Sequence, residues 1–352
     1  MSTNCAGNLF WAGFPGKTIP AALAARLESG DLGGIILFSR NFGSEDELAA
    51  LTTELHGRWR GEGSLLLGVD QEGGRVARIK TIRWPSAGQL AAFDDEVFTG
   101  QIARRMSQEL AHFGFNTDFA PVLDVFTNPR NTVIGDRAYG TEPERVIRHA
   151  RAFIRALATG GMLTCGKHFP GHGDTLADSH ETLPTCSLRA DEFENVHERP
   201  FRELAGLVDF IMTAHVLAPA VDPDRPATLS PVWIQRARSL PFSGLLVSDD
   251  LEMGAMKAYL GELATGIFRA GLDMGMVCAS PDFLEECIGR VNAEGGQDAG
   301  FAAGIAARVG RVNQLRLRVA QTVRTPAPQP RPMWIDSVNK LIEKLTVSPE
   351  QD

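Results

Sequence analysis

The sequence predicts a single α/β domain of the (β/α)8 TIM-type barrel class with a short C-terminal helical extension, and two observations carry that reading. The first is a set of eight short apolar runs bounded by turn residues, at 9–14, 34–38, 65–69, 115–121, 163–166, 210–214, 245–247 and 274–278. Their apolar residues are continuous rather than alternating, as in strands of a parallel sheet buried on both faces. The second is the helical periodicity of most of the segments between them, which supplies the covering layer. Eight such units close a barrel, and 352 residues accommodate one as a single domain.

The connecting segments show the pattern. After the second run, Ser44 and Glu47 have the spacing of a capping box ahead of Leu48, Leu51 and Leu55. After the fourth, Val146, Ile147, Ala150, Phe153, Ile154 and Leu157 recur at helical spacing behind Thr141 and Glu144. The barrel is expected over residues 1–320. Residues 321–352 hold a proline-rich stretch, Thr325 to Pro332, which reads as extended chain. Trp334, Ile335, Val338, Leu341, Ile342 and Leu345 then follow near helical spacing, a helix able to pack on the barrel or on a partner.

Composition excludes several classes. Hydrophobic residues make up 43% and charged residues 22% of the chain, as in an ordinary globular protein, and the net charge of −8 with no basic run disfavours nucleic acid. Five widely spaced cysteines without a CxxC pair give neither a disulfide framework nor a zinc ribbon, so a reducing compartment is the simpler reading. No basic segment followed by a long apolar one opens the chain, and no run of eighteen apolar residues occurs. A cytoplasmic protein without a membrane span is expected.

Barrel enzymes carry their chemistry at the C-terminal ends of the strands. Here the third run ends in Asp70, the fourth leads to Asp124, the fifth ends in Lys167-His168, the sixth in His215 and the seventh in Ser248-Asp249-Asp250. An Asp or Ser after a strand is most often a helix cap, but five strands ending this way point to a site. The densest stretch, 167–180, packs one lysine, three histidines and two aspartates into fourteen residues, while Pro170, Gly171 and Gly173 break both helix and strand periods. The glycines flanking His172 suggest a loop that moves with substrate.

Several carboxylates with a lysine and histidines, and no serine-nucleophile motif, suit glycosidic cleavage. One ionised carboxylate forms a covalent intermediate and a second group protonates the leaving oxygen. Asp249 could be the nucleophile. Asp178 and His180 stand two residues apart, close enough for the carboxylate to orient the imidazole and raise its pKa, as an acid/base dyad. A rival reading takes His168, His172, Asp174 and His180 as metal ligands, but Pro170 and Gly171 deny His168 and His172 the helix that their spacing would need. No cofactor is expected, because neither Gly73-Gly74 nor Gly171-His172-Gly173 belongs to a nucleotide-binding motif.

These residues together resemble glycoside hydrolase family 3, within it the single-domain bacterial N-acetyl-β-glucosaminidases. The resemblance runs in order over about residues 8–280. It rests on Gly33-Gly34-Ile35-Ile36-Leu37-Phe38-Ser39-Arg40-Asn41, Val69-Asp70-Gln71-Glu72-Gly73-Gly74-Arg75 and Phe119-Ala120-Pro121-Val122-Leu123-Asp124-Val125. Further on it rests on Gly135-Asp136-Arg137, Lys167 through Gly173 and Ser248-Asp249-Asp250-Leu251. It implies that Asp249 is the nucleophile and that Asp178 and His180 act as acid/base. It implies too that Asp70, Arg78, Arg137, Lys167 and His168 grip the hydroxyls of a non-reducing N-acetylglucosamine, with His215 lining the same pocket. The bland alternatives are pairing of Arg137 with Asp136 or Asp124, and of Lys167 with Asp118. Many members carry a second α/β sandwich domain, for which the roughly seventy residues after Ala279 are too few.

The activity so implied is that of a retaining exo-β-N-acetylglucosaminidase releasing N-acetylglucosamine from cell-wall fragments, as a monomer or weak homo-oligomer acting on a small carbohydrate. Two other readings stand beside it. One is a phosphorylase, since a neutral histidine repels incoming phosphate less than a carboxylate does; the other is a non-catalytic sugar-binding barrel.

Overall fold

Eight parallel strands pair in chain order, and the eighth closes on the first. They are β1 (Phe10–Ala12), β2 (Gly34–Leu37), β3 (Leu67–Val69), β4 (Thr117–Asp118), β5 (Leu163–Phe169), β6 (Phe210–Thr213), β7 (Leu245–Asp250) and β8 (Met274–Val277). This is a computed structural model, which describes residues 5–176, 178, 179, 181–322 and 332–345. The helices in chain order are α1 (Ala21–Ser29), α2 (Glu45–Arg58), α3 (Ala87–Phe93), α4 (Glu96–His112), α5 (Pro143–Thr159) and α6 (Ala190–Glu192). They continue with α7 (Arg199–Leu204), α8 (Pro231–Ser239), α9 (Leu263–Ala270), α10 (Pro281–Gln297), α11 (Ala299–Thr322) and α12 (Pro332–Glu343).

Each of the eight apolar runs holds a strand; five of the strands are trimmed by one or two residues at one or both ends, and three depart further from their runs. β4 shrinks to two residues, whereas β5 continues through Lys167 and His168 to Phe169 and β7 through Asp249 to Asp250. Each extension contains a register shift. Gly166 pairs with Ile211 and Phe169 with Thr213, three steps on β5 against two on β6; Val247 pairs with Met274 and Asp250 with Met276, again three against two. An extra residue re-aims the side chains around it. Consecutive residues, which a regular strand would send to opposite faces, can therefore both reach the barrel mouth.

The helix signals are half realised. Ser44 caps α2 by accepting from the Glu47 amide, but the Glu47 carboxylate accepts from Gly43 N and Lys17 instead of closing the box. α5 starts at Pro143 behind Glu142 with no side-chain cap, so the Thr141–Glu144 pair is not used. Proline at the first position needs no donor there.

Inside the barrel, Trp11 of β1 meets Phe119 and Phe210 edge-on, with ring centroids 4.9 and 5.9 Å apart. All three are fully buried, and Gly34 and Gly68 leave them the space. α12 adds Val338, fully buried, with Ile335, Leu341 and Ile342, and Leu345 just past its end, packed on the core; the helix lies against α4. The proline-rich stretch before it lies outside the described residues, apart from Pro332. All five cysteines are free thiols. Among the described residues, no helix is long and apolar enough to cross a membrane.

A Cβ on Gly68 would stand 2.7 Å from the Phe119 ring and 3.1 Å from Trp11. Gly68→Ala is expected to destabilise the fold by about 1–3 kcal/mol through overpacking. The readout is a lower denaturation midpoint at unchanged slope; an unmoved midpoint would show that the aromatic layer yields.

Candidate active site

The strand extensions and the loops after β2, β3 and β4 enclose a cavity of about 430 Å³ at the C-terminal end of the barrel, within the usual size for a small-molecule site. Asp70, Arg78, Arg137, Lys167, His168, Asp178 and Asp249 all line it, as do Glu72, His172 and Asp250. A wider groove of about 1140 Å³ lies between residues 74–95 and α12, lined by Trp84, Phe93, Ile342 and Leu345 among others. Among the described residues it holds no pair of carboxylates, so the reactive groups belong to the smaller cavity.

One wall is a buried ion cluster. Lys167 Nζ stands 2.9 Å from Asp70 Oδ1 and 2.6 Å from Glu72 Oε1. Glu72 also accepts both arms of the Arg137 fork, at 2.8 and 2.9 Å. Asp70 accepts from Arg78 at 3.1 Å. Burial pushes the Asp70 and Glu72 carboxyls up, but the facing cations outweigh it, and both titrate below the ordinary range. For Lys167 burial favours the neutral amine and loses to the two carboxylates, so it stays charged. Neither of the bland pairings forms: Asp136 takes Arg75, Asp124 takes histidines and Asp118 accepts the Gln71 amide.

The histidines are held from behind. His168 Nε2 lies 3.3 Å from the Arg137 guanidinium and Nδ1 2.7 Å from Asp124 Oδ2. The other Asp124 oxygen accepts the His172 amide at 2.6 Å. His172 itself is buried, with Thr175 Oγ1 2.7 Å from Nδ1 and Ser179 Oγ 3.3 Å from Nε2. Burial, then the neighbouring His168, hold its pKa down at about 4, so the ring is neutral. Both ring nitrogens of His168 and of His172 meet protein groups, and His180, the fourth residue of the rival metal reading, lies outside the described residues. Among the described residues no group of three or more His, Cys, Asp or Glu side chains could hold a metal ion.

His215 is placed differently from the others. It does not line the cavity; its Nδ1 lies 2.9 Å from Thr228 Oγ1, and its Nε2 donates to the Asp250 carbonyl at 2.9 Å. The second contact ties it to the backbone at the end of β7.

The two adjacent carboxylates on β7 diverge. For Asp249, burial is outweighed by the imidazoles of His168 and His215 and by the Asp250 amide, which donates at 2.8 Å, and its pKa falls below the ordinary range. Asp250 lacks a facing cation; burial lifts its pKa to about 7, against weaker hydrogen bonds from the Glu252 and Cys278 amides. Near neutral pH one carboxylate of the pair is anionic while its neighbour holds a proton for much of the time.

Sequence reasoning gave Glu72 no role, and it noted Asp124 at a strand end and His172 in the rival metal set without assigning either to sugar binding or catalysis. For Glu72 a signal existed: it stands two positions beyond Asp70, a spacing that returns a side chain to the same face of extended chain. Asp124 was marked by its strand end and His172 by the dense 167–180 stretch, but the partners that define their tasks are distant in the chain.

Residues 11–314 match the profile described as the Glycosyl hydrolase family 3 N terminal domain. The chain belongs to glycoside hydrolase family 3. This family 3 chain is 41% identical to a Beta-hexosaminidase of Alkalilimnicola ehrlichii over 265 residues, 71% of this chain and 75% of that protein. Native NagZ from Neisseria gonorrhoeae superposes with a TM-score of 0.76 at 32% identity, over 97% of this chain and 98% of that one. A fungal multi-domain GH3 β-N-acetylglucosaminidase gives a TM-score of 0.91 at 29% identity; 98% of this chain is covered, but only 43% of the fungal chain.

Glu72→Gln should leave the fold intact but loosen Lys167 and Arg137, lowering kcat/KM for a sugar substrate by about 10²-fold, mainly through KM; an unchanged KM would show that neither cation grips the sugar. The pH dependence of stability gives a second check. Asp250 binds its proton more tightly folded, at about 7, than at the ordinary value of 3.8. Its contribution to stability is therefore full below about pH 4 and is lost as pH rises toward 7. Asp250→Asn should remove that loss, making the variant gain on the parent in thermal unfolding between these pH values; parallel curves would contradict it.

Proposed function

We propose that this family 3 hydrolase is a retaining exo-β-N-acetylglucosaminidase that frees terminal N-acetylglucosamine from cell-wall fragments, working in the cytoplasm. The observation that supports it best is the pairing, in one cavity, of an ionised Asp249 with the ion cluster of Asp70, Glu72, Lys167 and Arg137. Sugar hydroxyls entering that cluster find donors and acceptors already fixed, and a ligand lacking one would leave a buried polar group unpaired. Names of relatives support the acetamido sugar.

In the mechanism, the Asp249 carboxylate attacks the anomeric carbon as the glycosidic bond breaks, giving a glycosyl ester. The Asp178–His180 pair protonates the leaving oxygen and then takes a proton from the water that releases the sugar. Asp178 lines the cavity, which supports this role. Lys167, Arg137, Arg78, His168 and Asp70 hold the non-reducing sugar. His215 acts indirectly, through the backbone of β7.

The test is product analysis on the 4-nitrophenyl β-glycosides of N-acetylglucosamine and glucose, with and without phosphate. Free N-acetylglucosamine from the first substrate alone is expected; the sugar 1-phosphate would make the enzyme a phosphorylase, and no release would favour a binding protein. Asp249→Ala should abolish turnover and keep N-acetylglucosamine binding by calorimetry. Unchanged turnover would remove Asp249 from the chemistry.

A further inference from the structure

His172 was singled out by the sequence and is absorbed by neither a metal site nor sugar binding. Its surroundings give it another task. The residue is pinned at every polar atom: its amide donates to Asp124, its carbonyl accepts from Asn131 Nδ2 at 2.7 Å, and its ring nitrogens meet Thr175 and Ser179. Ser179 is buried and directly follows Asp178 in the chain. Its carbonyl accepts the Ala255 amide at 3.0 Å, from the segment that follows β7.

The flanking glycines fit the same picture, because both stand where the backbone approaches its neighbours closely. A Cβ on Gly173 would stand 1.8 Å from the Val125 carbonyl oxygen, and one on Gly171 2.7 Å from His197 Cβ. They are small because the backbone is pressed against its neighbours.

We propose that His172 is a positioning residue for proton transfer: its imidazole is a strut that sets Ser179, and through it the adjacent Asp178, relative to the sugar held by His168. Asp124 is the shared anchor, since one oxygen holds the His168 ring and the other the His172 amide. The grip on the sugar and the placement of Asp178 thus hang on one carboxylate. The neutral state of the ring suits this task. The Thr175 hydroxyl donates to Nδ1, its shorter contact, leaving Nε2–H to donate to the Ser179 oxygen; an imidazolium would turn both contacts into donations and break the first as it stands.

This inference rests on the proposed acid/base role of Asp178 and His180, and the experiment separates the two. Two substrates are compared, the dinitrophenyl glycoside of N-acetylglucosamine, whose leaving group needs no proton, and the β-linked disaccharide of N-acetylglucosamine, whose leaving group does. His172→Ala and Ser179→Ala should each lower kcat on the disaccharide by about tenfold or more while dinitrophenol release changes by less than about threefold, with KM unaltered. His172→Gln, whose amide can still donate to Ser179, should recover part of the loss. Equal losses on both substrates, or none on the disaccharide, would overturn the strut. If His172→Ala does not fold, Ser179→Ala, which removes a single hydroxyl, decides alone. Asp178→Ala serves as the control: if it too lacks leaving-group dependence, the acid/base reading fails, and if it alone shows the dependence, only the strut fails.

Discussion

Everything at the barrel mouth depends on keeping Lys167 charged out of water. A buried ammonium is tolerated only when paired and fully hydrogen-bonded, and here Asp70 and Glu72 do the pairing. Glu72 in turn neutralises Arg137, which is fixed against His168. Such a set is weak evidence for stability, because desolvation consumes much of the attraction, but removing one member costs about 3–5 kcal/mol by stranding the others. What the cluster provides is preorganisation. Its donors and acceptors keep fixed directions before any sugar arrives, so binding does not have to order them.

The second constraint is the irregularity of β5 and β7. A regular strand offers alternate residues to one face, which would give the mouth either Lys167 or His168, and either Asp249 or Asp250. The register shifts place all four around the cavity. They also separate the two aspartates electrically. Asp249 is turned toward the imidazoles, whereas Asp250 faces backbone amides and other carboxylates, so neighbours in sequence hold different charges at one pH. Two carboxyl groups pushed apart in this way are a frequent arrangement in glycosidases.

Much of this was legible in the chain itself. The eight apolar runs marked all eight strands, since continuous burial on both faces leaves a pattern that depends on no distant contact. Asp70, Lys167, His168 and Asp249 could be picked out because they stand at or just past those runs, and Asp178 because it lies in a loop too polar for any repeating face. Where local reading failed, the deciding atom was remote. His215 follows a strand as the others do, yet Thr228 and the Asp250 carbonyl hold its ring outside the cavity. The expected Glu47 contact to Ser44 lost to Gly43 and Lys17.

The sequence by itself determined the barrel, its strand order and the cast of chemical groups at its mouth, because periodicity and strand ends are written in neighbouring residues. Only the tertiary structure decided the partners. Glu72 instead of Asp136 for Arg137, Asp124 as the common anchor of His168 and His172, and the opposite protonation of Asp249 and Asp250 all arise between segments tens of residues apart. Charge and burial there depend on what the closed barrel brings together, and no local pattern encodes that.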